Sequence, residues 1–249
     1  MVKNRLSESN LKVHSRVVVI TSLLLAAAIG FGVIAATRQS ASTAGADAPV
    51  THSNSNHVRL RVSFVGDSYT KGVGASAETG YASLLTNQYC WSVQINGQAG
   101  TGYVNKGREP NQEFSRRIPS VASTSPNLII VQGSTSDSAM PNVEAAATET
   151  LVALKAAAPG AVVVAVGPTD PPAVNDARAA STRDSVQSAS IAAGARFVDP
   201  IALHWLSDPA LYATDGLHPN PAGHAEYARL LAQQLEALGL PNLDSCQAG

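Results

Sequence analysis

Two stretches far apart in the chain carry side chains that together could perform nucleophilic catalysis. Ser68 follows Gly66-Asp67 directly after an apolar, β-branched run, and Asp215 and His218 lie three residues apart near the other end. A serine hydroxyl needs a base to take its proton, and a histidine base needs a carboxylate to fix its tautomer. Ser68, His218 and Asp215 therefore have the residue types required for acyl transfer through a serine.

Each stretch alone has a simpler interpretation. Gly-Asp-Ser occurs in many ordinary turns, and Asp215 suits an Asx-type turn that leads into a helix. Such a turn has no use for His218, however, and Asp and His at this spacing can face one another within one turn of chain. The combination indicates catalysis more strongly than either stretch does.

The segments between these residues predict the elements that position them. Five short apolar runs, each bounded by Gly, Pro, Asn or Asp, indicate strands: Leu60–Val65, Trp91–Ile95, Leu128–Val131, Ala161–Val166 and Arg196–Val198. Three longer segments with Pro or Gly at their ends indicate helices: Ala145–Ala158, Asp176–Ala193 and Pro221–Leu238. This alternation predicts an α/β fold with three layers, in which helices cover both faces of a mostly parallel sheet. Ligands of such sheets bind beyond the carboxyl ends of the strands, where Ser68 is expected.

Four sequence blocks carry a resemblance to a known family. They follow the first three predicted strands and precede the last helix: Val65–Thr70 (VGDSYT), Gly97–Tyr103 (GQAGTGY), Gly133–Asp137 (GSTSD) and Asp215–Pro219 (DGLHP). In order and spacing they resemble the motifs of the SGNH hydrolases, also called the GDSL esterase/lipase family, and in particular its compact exported bacterial members. The resemblance covers residues 58–240 and implies a flavodoxin-like fold with a five-stranded sheet and no cofactor.

The resemblance also implies a role for each site residue. Ser68 would be the nucleophile, His218 the general base and Asp215 the carboxylate that orients it. Acyl transfer would then proceed through an acyl-enzyme. The backbone N–H groups of Ser68 and Gly100 would bind the developing oxyanion, where the loss of one donor can raise the barrier by about 3–4 kcal/mol.

The third block departs from the family pattern. That pattern is Gly-x-Asn-Asp, in which the Asn side chain is the third oxyanion donor, whereas this chain has Ser134 at the Gly position and Ser136 at the Asn position. A serine hydroxyl can donate one hydrogen bond but is shorter than a carboxamide. We therefore expect Ser136 to reach the oxyanion poorly or through water, and Asn105 is an alternative donor.

The N-terminal stretch has the features of an export signal. Residues 1–16 contain four Lys/Arg and one Glu, and residues 17–36 are free of charge. Twenty apolar residues are enough to cross a bilayer, and the preceding positive charge places the N-terminus in the cytoplasm. The remainder is therefore predicted to lie outside, either membrane-anchored through residues 17–36 or secreted after cleavage near Ala46-Asp47-Ala48.

Composition divides the chain into three parts. Residues 1–37 form the predicted anchor or signal peptide, residues 38–57 form a small and polar flexible linker, and residues 58–249 form the catalytic domain. The first 57 residues hold five Lys/Arg and two Asp/Glu of the chain's 17 and 18, which leaves a net charge of −4 on the domain. An acidic domain without basic runs argues against a nucleic-acid partner.

Two cysteines, Cys90 and Cys246, lie in the part predicted to be outside. A disulfide between them is expected in an oxidising compartment, and two buried or idle thiols are the alternative. Two cysteines without a neighbouring histidine argue against a zinc site, and no other metal constellation is predicted.

Three functions remain compatible with these residues. The first is hydrolysis of a carboxylic ester, with short acyl chains favoured by the low aromatic content (5%), on a small ester or on an acylated glycan or lipid of the cell envelope. The second is transfer of the acyl group to a glycan hydroxyl. The third is a weakly active or inactive tethered envelope-binding module, an interpretation supported by Ser136.

Overall fold

The computed structural model describes residues 59–76, 78–109, 112–138 and 140–240. The predicted anchor, the linker and Cys246 lie outside these residues, so the division of the chain and the cysteine pairing stay predictions. Cys90 itself ends a helix with a left-handed backbone (φ 51°). Among the helices described, none is long and apolar enough to span a bilayer.

Among the described residues, five strands form one sheet at the positions that the apolar runs indicate. They are β1 (Arg61–Gly66), β2 (Ser92–Gly97), β3 (Leu128–Gln132), β4 (Val162–Val166) and β5 (Arg196–Val198). Their order is β2-β1-β3-β4-β5, and every pair is parallel. In the register Gly66 of β1 pairs with Gly97 of β2 and with Gln132 of β3. The loops that follow these three strands therefore leave the sheet side by side.

Within the part of the chain that the structure describes, six α-helices connect and follow the strands. They are α1 (Ser68–Lys71), α2 (Tyr81–Tyr89), α3 (Ile118–Ser123), α4 (Val143–Ala157), α5 (Asp176–Ala193) and α6 (Pro221–Ala237), and short 3-10 turns cover Phe114–Arg117, Thr135–Asp137 and Pro209–Leu211. The predicted helices correspond to α4, α5 and α6. Gly194 ends α5 in the left-handed conformation, as its position after the helix predicts.

Two apolar cores lie on opposite faces of the sheet. Alternate residues of β1 point to opposite sides, so that Phe64 joins the core under α2 and α6 while Val65 joins the core under α3, α4 and α5. The central strand β3 is buried along its whole length. The predicted three-layer α/β/α architecture with a parallel sheet is thus confirmed, and its carboxyl edge carries the Ser68 turn.

Candidate active site

The nucleophile turn joins β1 directly to α1. Asp67 caps the short helix, because its Oδ1 accepts the backbone N–H of Tyr69 at 2.9 Å. Ser68 is the first helical residue and is 7% exposed. Its backbone N–H belongs to the first turn of a helix, where N–H groups have no intrahelical acceptor. The turn thus offers a hydroxyl and a backbone donor at one point, at the carboxyl edge of the sheet.

Asp215 and His218 are in direct contact. The Asp215 Oδ1 accepts the backbone N–H groups of Leu217 (2.9 Å) and His218 (3.0 Å), while Oδ2 lies 2.7 Å from the His218 Nδ1. One oxygen therefore forms the Asx turn and the other contacts the imidazole, so the turn and the Asp–His contact occur together, while the catalytic role of the pair stays a prediction. The hydrogen bonds from the His218 backbone, the His218 ring and the Leu217 backbone lower the pKa of Asp215 to about 2.

Two contacts join the nucleophile turn to the loop that carries His218. The Tyr69 hydroxyl donates to the carbonyl of Leu217 at 2.8 Å, and the Tyr69 and His218 rings lie 6.5 Å apart. Gly74 adopts φ 94°, and a Cβ there would lie 2.1 Å from the carbonyl oxygen of Pro219. The described residues show no direct hydrogen bond between Ser68 and His218. Such catalytic bonds are often long before a substrate binds.

Gly100 lies in the loop that follows β2. Its φ is 75°, a conformation that favours glycine, and a Cβ there would meet only the Gly107 Cα at 3.8 Å. Gly100 is exposed, and an antiparallel bridge between Thr101 and Lys106 closes the loop just after it. The expected oxyanion donor therefore occupies an open position at the same edge of the sheet as Ser68.

Asp137 holds this loop against the third block. Its carboxylate accepts the backbone N–H groups of Tyr103 (2.7 Å), Val104 (3.3 Å) and Asn105 (2.9 Å). Asp137 is 1% exposed, and burial raises its pKa even though these three donors act in the opposite direction. Asp137 thus has a structural role that its family motif alone does not reveal.

The two candidates for the third oxyanion donor differ in their surroundings. The Asn105 carboxamide is used within the loops, because Nδ2 donates to the Ser136 carbonyl at 2.9 Å and Oδ1 accepts the Gly107 N–H at 3.0 Å. Ser136 is half-buried, and its backbone N–H donates to the Ser134 hydroxyl at 3.0 Å. The Asn105 carboxamide has a second N–H besides the one that bonds to Ser136, so the roles of Asn105 and Ser136 both stay predictions.

Arg117 contacts the ends of β1 and β2 and the stretch that follows β2, but it has no signal in the sequence. Its Nη1 donates to the carbonyls of Gly66 and Asn96, each at 2.6 Å, and its Nη2 donates to the Thr101 hydroxyl and, at 2.9 Å, to the carbonyl of Gln112. The side chain follows Arg116 in the sequence, and two adjacent arginines usually indicate a solvated surface. Only the fold shows that the second one is buried.

Asp67 is a buried carboxylate whose hydrogen-bond partners are buried as well. It is 1% exposed, and its Oδ2 lies 3.2 Å from the Ser134 hydroxyl. Burial raises the pKa of Asp67 to about 6, against the opposing effect of hydrogen bonds from Tyr69, Ser134 and Gln132. Asp67 therefore supports the turn that carries Ser68. Groups of His, Cys, Asp and Glu suited to a metal ion are absent from the described ranges.

Comparison with known proteins agrees with this geometry. Residues 64–226 match the GDSL-like lipase/acylhydrolase family. A GDSL lipase of Mycobacterium tuberculosis (strain ATCC 25618 / H37Rv), Rv0518, is 31% identical over 189 residues, which cover 69% of this chain and 79% of that protein.

Solved structures share the fold at lower identity. TesA superposes with a TM-score of 0.59 at 18% identity, covering 72% of this chain and 99% of TesA. A family two carbohydrate esterase from Clostridium thermocellum, in complex with cellohexaose, gives 0.60 at 17% identity, covering 72% and 65% of the two chains. The esterase EstA from Pseudoalteromonas sp., inhibited by monoethylphosphonate, gives 0.56 at 17%, covering 72% and 97%. The chain therefore belongs to the GDSL-like lipase/acylhydrolase family and is an enzyme of the SGNH hydrolase type.

Proposed function

We propose that this enzyme hydrolyses a carboxylic ester with Ser68 as nucleophile, His218 as general base and Asp215 as its orienting carboxylate. The observation that carries the proposal is the 2.7 Å contact between the His218 Nδ1 and the Asp215 Oδ2. This contact leaves Nε2 as the ring nitrogen that can take a proton. The Tyr69 hydroxyl, at 2.8 Å from the Leu217 carbonyl, couples the loop of His218 to the turn of Ser68.

The proposed chemistry follows from these positions. The Ser68 Oγ attacks the carbonyl carbon while its proton moves to the His218 Nε2, and the backbone N–H groups of Ser68 and Gly100 donate to the oxyanion. The tetrahedral intermediate expels the alcohol, which takes the proton from His218. A water molecule then attacks the acyl-enzyme, with His218 again taking and returning the proton, and the acid is released from Ser68. With a pKa of about 2, Asp215 stays ionised near neutral pH and stabilises the imidazolium.

The proposed substrate is a short-chain acyl ester on a small molecule or on an envelope glycan or lipid, and the proposed location is outside the cytoplasm. The basic flank and uncharged run of residues 1–36 support the location. The low aromatic content supports a short acyl chain. Two similar proteins point to different substrates, because one is named a lipase and the other a carbohydrate esterase in complex with cellohexaose.

A fluorophosphonate label and three p-nitrophenyl esters test this proposal. We expect the wild type to be labelled on Ser68 and to hydrolyse the acetate and butyrate faster than the palmitate. Ser68→Ala should abolish both labelling and hydrolysis, because the nucleophile is removed. Ser188→Ala, an exposed serine of α5, is the matched control and should behave like the wild type. A preference for palmitate would refute the short-chain assignment.

One observation favours a second candidate, a tethered envelope-binding module with little turnover. Ser136 stands where the family has its oxyanion Asn, and the Asn105 carboxamide is used in bonds within the loops. Absence of phosphonate labelling in a folded wild type would support this candidate against the esterase. If labelling occurs, product analysis with an added glycan acceptor separates hydrolysis from acyl transfer.

A further inference from the structure

Thr101 closes the turn that contains Gly100. Its hydroxyl donates to the Gln98 carbonyl at 2.7 Å, and its backbone N–H donates to the same oxygen at 3.3 Å. The peptide that carries the Gly100 N–H lies inside this turn. Because glycine restricts its own backbone little, the direction of that N–H depends on how firmly Thr101 is held.

Two buried side chains hold Thr101 from different sides. The Arg117 guanidinium donates to its hydroxyl, and the Ser134 hydroxyl lies 2.9 Å from its carbonyl oxygen. Thr101 and Ser134 are both 0% exposed, and Arg117 is 8% exposed. Both the side chain and the main chain of Thr101 are therefore held by buried groups.

The same two side chains also hold the nucleophile turn. Arg117 donates to the carbonyl of Gly66, two residues before Ser68, at 2.6 Å. The Ser134 hydroxyl lies 3.2 Å from the Oδ2 of Asp67, the residue directly before Ser68. Each side chain thus connects the two loops that contribute the backbone donors of the proposed oxyanion hole.

The hydrogen bonds of the Arg117 guanidinium end on neutral groups. The partners of its Nη1 and Nη2 atoms are three carbonyls and one hydroxyl. Burial lowers the pKa of Arg117 to about 10, against the opposing effect of the Asp67 carboxylate, which leaves Arg117 charged near neutral pH. The guanidinium also lies 5.1 Å from the centre of the Phe114 ring. A buried charge destabilises a fold unless such contacts offset the desolvation. Its contacts are concentrated on the strand ends and loops around Ser68 and Gly100.

We propose that Arg117 and Ser134 are positioning residues, which fix Thr101 and thereby aim the Gly100 N–H at the oxyanion alongside that of Ser68. The inference rests on the proposed esterase function. It also gives the hydroxyl of Ser134, at the position where the resemblance implies glycine, a definite role. The two side chains act through Thr101 and do not touch the substrate.

Ser134→Ala is the first test, and it is assayed with p-nitrophenyl acetate and a trifluoromethyl ketone, which forms a tetrahedral adduct with the nucleophile. We expect kcat to fall roughly 10- to 100-fold with KM nearly unchanged, because misplacing a catalytic group by about 1 Å can have an effect of this size. The Ki of the ketone should rise by the same factor. Ser138→Ala is the matched control, because among the described residues its hydroxyl bonds to the Thr135 carbonyl of the preceding 3-10 turn alone, and both quantities should stay at wild-type values.

Arg117→Lys and Arg117→Met provide a second route if Ser134→Ala does not fold. Lysine keeps the charge and up to three donors but loses the planar fork, so we expect its kcat and ketone Ki to lie between those of the wild type and Arg117→Met. Arg116→Met, which removes the exposed neighbour paired with Glu113, should leave both unchanged. Folding is checked by thermal unfolding of each variant.

Two outcomes separate this inference from the function on which it rests. If the wild type hydrolyses esters and Ser68→Ala does not, but Ser134→Ala and Arg117→Lys keep wild-type kcat and ketone Ki, the positioning role is wrong and the esterase stands. A loss confined to KM, or a lower kcat without a matching rise in Ki, overturns it too. If the wild type neither hydrolyses esters nor binds the ketone, both proposals are wrong.

Discussion

At the scale of single residues, the two oxygens of the Asp215 carboxylate have different partners. Oδ1 accepts two backbone N–H groups and Oδ2 contacts the His218 ring. The sequence predicted both uses, because the Asx turn and the imidazole contact need only a local spacing of three residues. The positions of Arg117 and Ser134 were not predictable in this way, since their partners lie up to 67 residues away along the chain.

The buried carboxylate of Asp67 gives a prediction about stability and pH. Its pKa is about 6 in the folded protein and 3.8 as the reference for the unfolded chain. The folded state therefore binds the proton more tightly, so this group's contribution to stability is greatest below pH 4 and is lost as the pH rises to about 6. Asp67→Asn keeps a capping oxygen and has no charge, so its stability should not fall in this way as the pH rises.

The measurement is the free energy of unfolding by denaturant at pH 4.5 and pH 7.5. We expect the difference between Asp67→Asn and the wild type to shift by about 2 kcal/mol in favour of the variant at the higher pH, from about 1.4 kcal/mol per pKa unit. Asp208→Asn is the control, because Asp208 caps a short helix in the same way but is exposed. A difference that does not change with pH would mean that Asp67 titrates normally.

At the scale of elements, the strands and the last three helices were predictable from local patterns. Each strand begins and ends within two residues of its predicted bounds, because turn residues on both sides of an apolar run mark where the strand starts and stops. Helix α2 was missed because Gly80 caps it without a side-chain hydrogen bond. The spacing of Tyr81, Leu85 and Tyr89, all buried, is the helical signal that could have revealed it.

The predicted burial of the strands on both faces was correct only in the centre of the sheet. The residues of β3 are all buried, whereas those of β2 are exposed or half-buried. β2 pairs only with β1 and forms an edge. The apolar residues Val93 and Ile95 give β2 the sequence pattern of a central strand. The sequence of one strand does not show its place in the sheet, because the strand order depends on the topology of the whole chain.

The contact between the loop after α1 and the loop of His218 gives a prediction at this scale. In Gly74→Ala the new Cβ would lie 2.1 Å from the Pro219 carbonyl oxygen, so the backbone beside His218 must shift. We expect kcat for p-nitrophenyl acetate to fall at least tenfold, on the reasoning that misplacement of about 1 Å can reduce rates 100-fold. The variant should also lose about 1–3 kcal/mol of stability.

Gly239→Ala separates the effect of the clash with Pro219 from the effect of backbone strain at a positive φ. Gly239 has a φ of 62°, but no atom of the described residues lies within 4 Å of a Cβ placed there. It therefore has the backbone strain of a left-handed alanine without the clash. We expect a stability loss of about 1 kcal/mol and wild-type kcat. Equal kcat in Gly74→Ala and the wild type would show that the loop contact does not position His218.

At the scale of the whole molecule, the parallel sheet assembles the site from distant parts of the chain. The loops after β1, β2 and β3 leave the same edge, and the loop before α6 meets them through Tyr69 and Gly74. The sequence could predict that these blocks meet, because parallel strands place their carboxyl ends together. It could not predict the buried contacts behind them, which depend on how α3 and its preceding turn pack.

A crystal structure of the protein after reaction with a phosphonate ester tests the proposed triad and oxyanion donors together. We expect phosphorus bonded to the Ser68 Oγ, with the His218 Nε2 within about 3 Å of that oxygen and the phosphonyl oxygen about 3 Å from the N–H groups of Ser68 and Gly100. Phosphorus on another residue, or an imidazole that remains out of reach of the modified serine, would contradict the proposed triad.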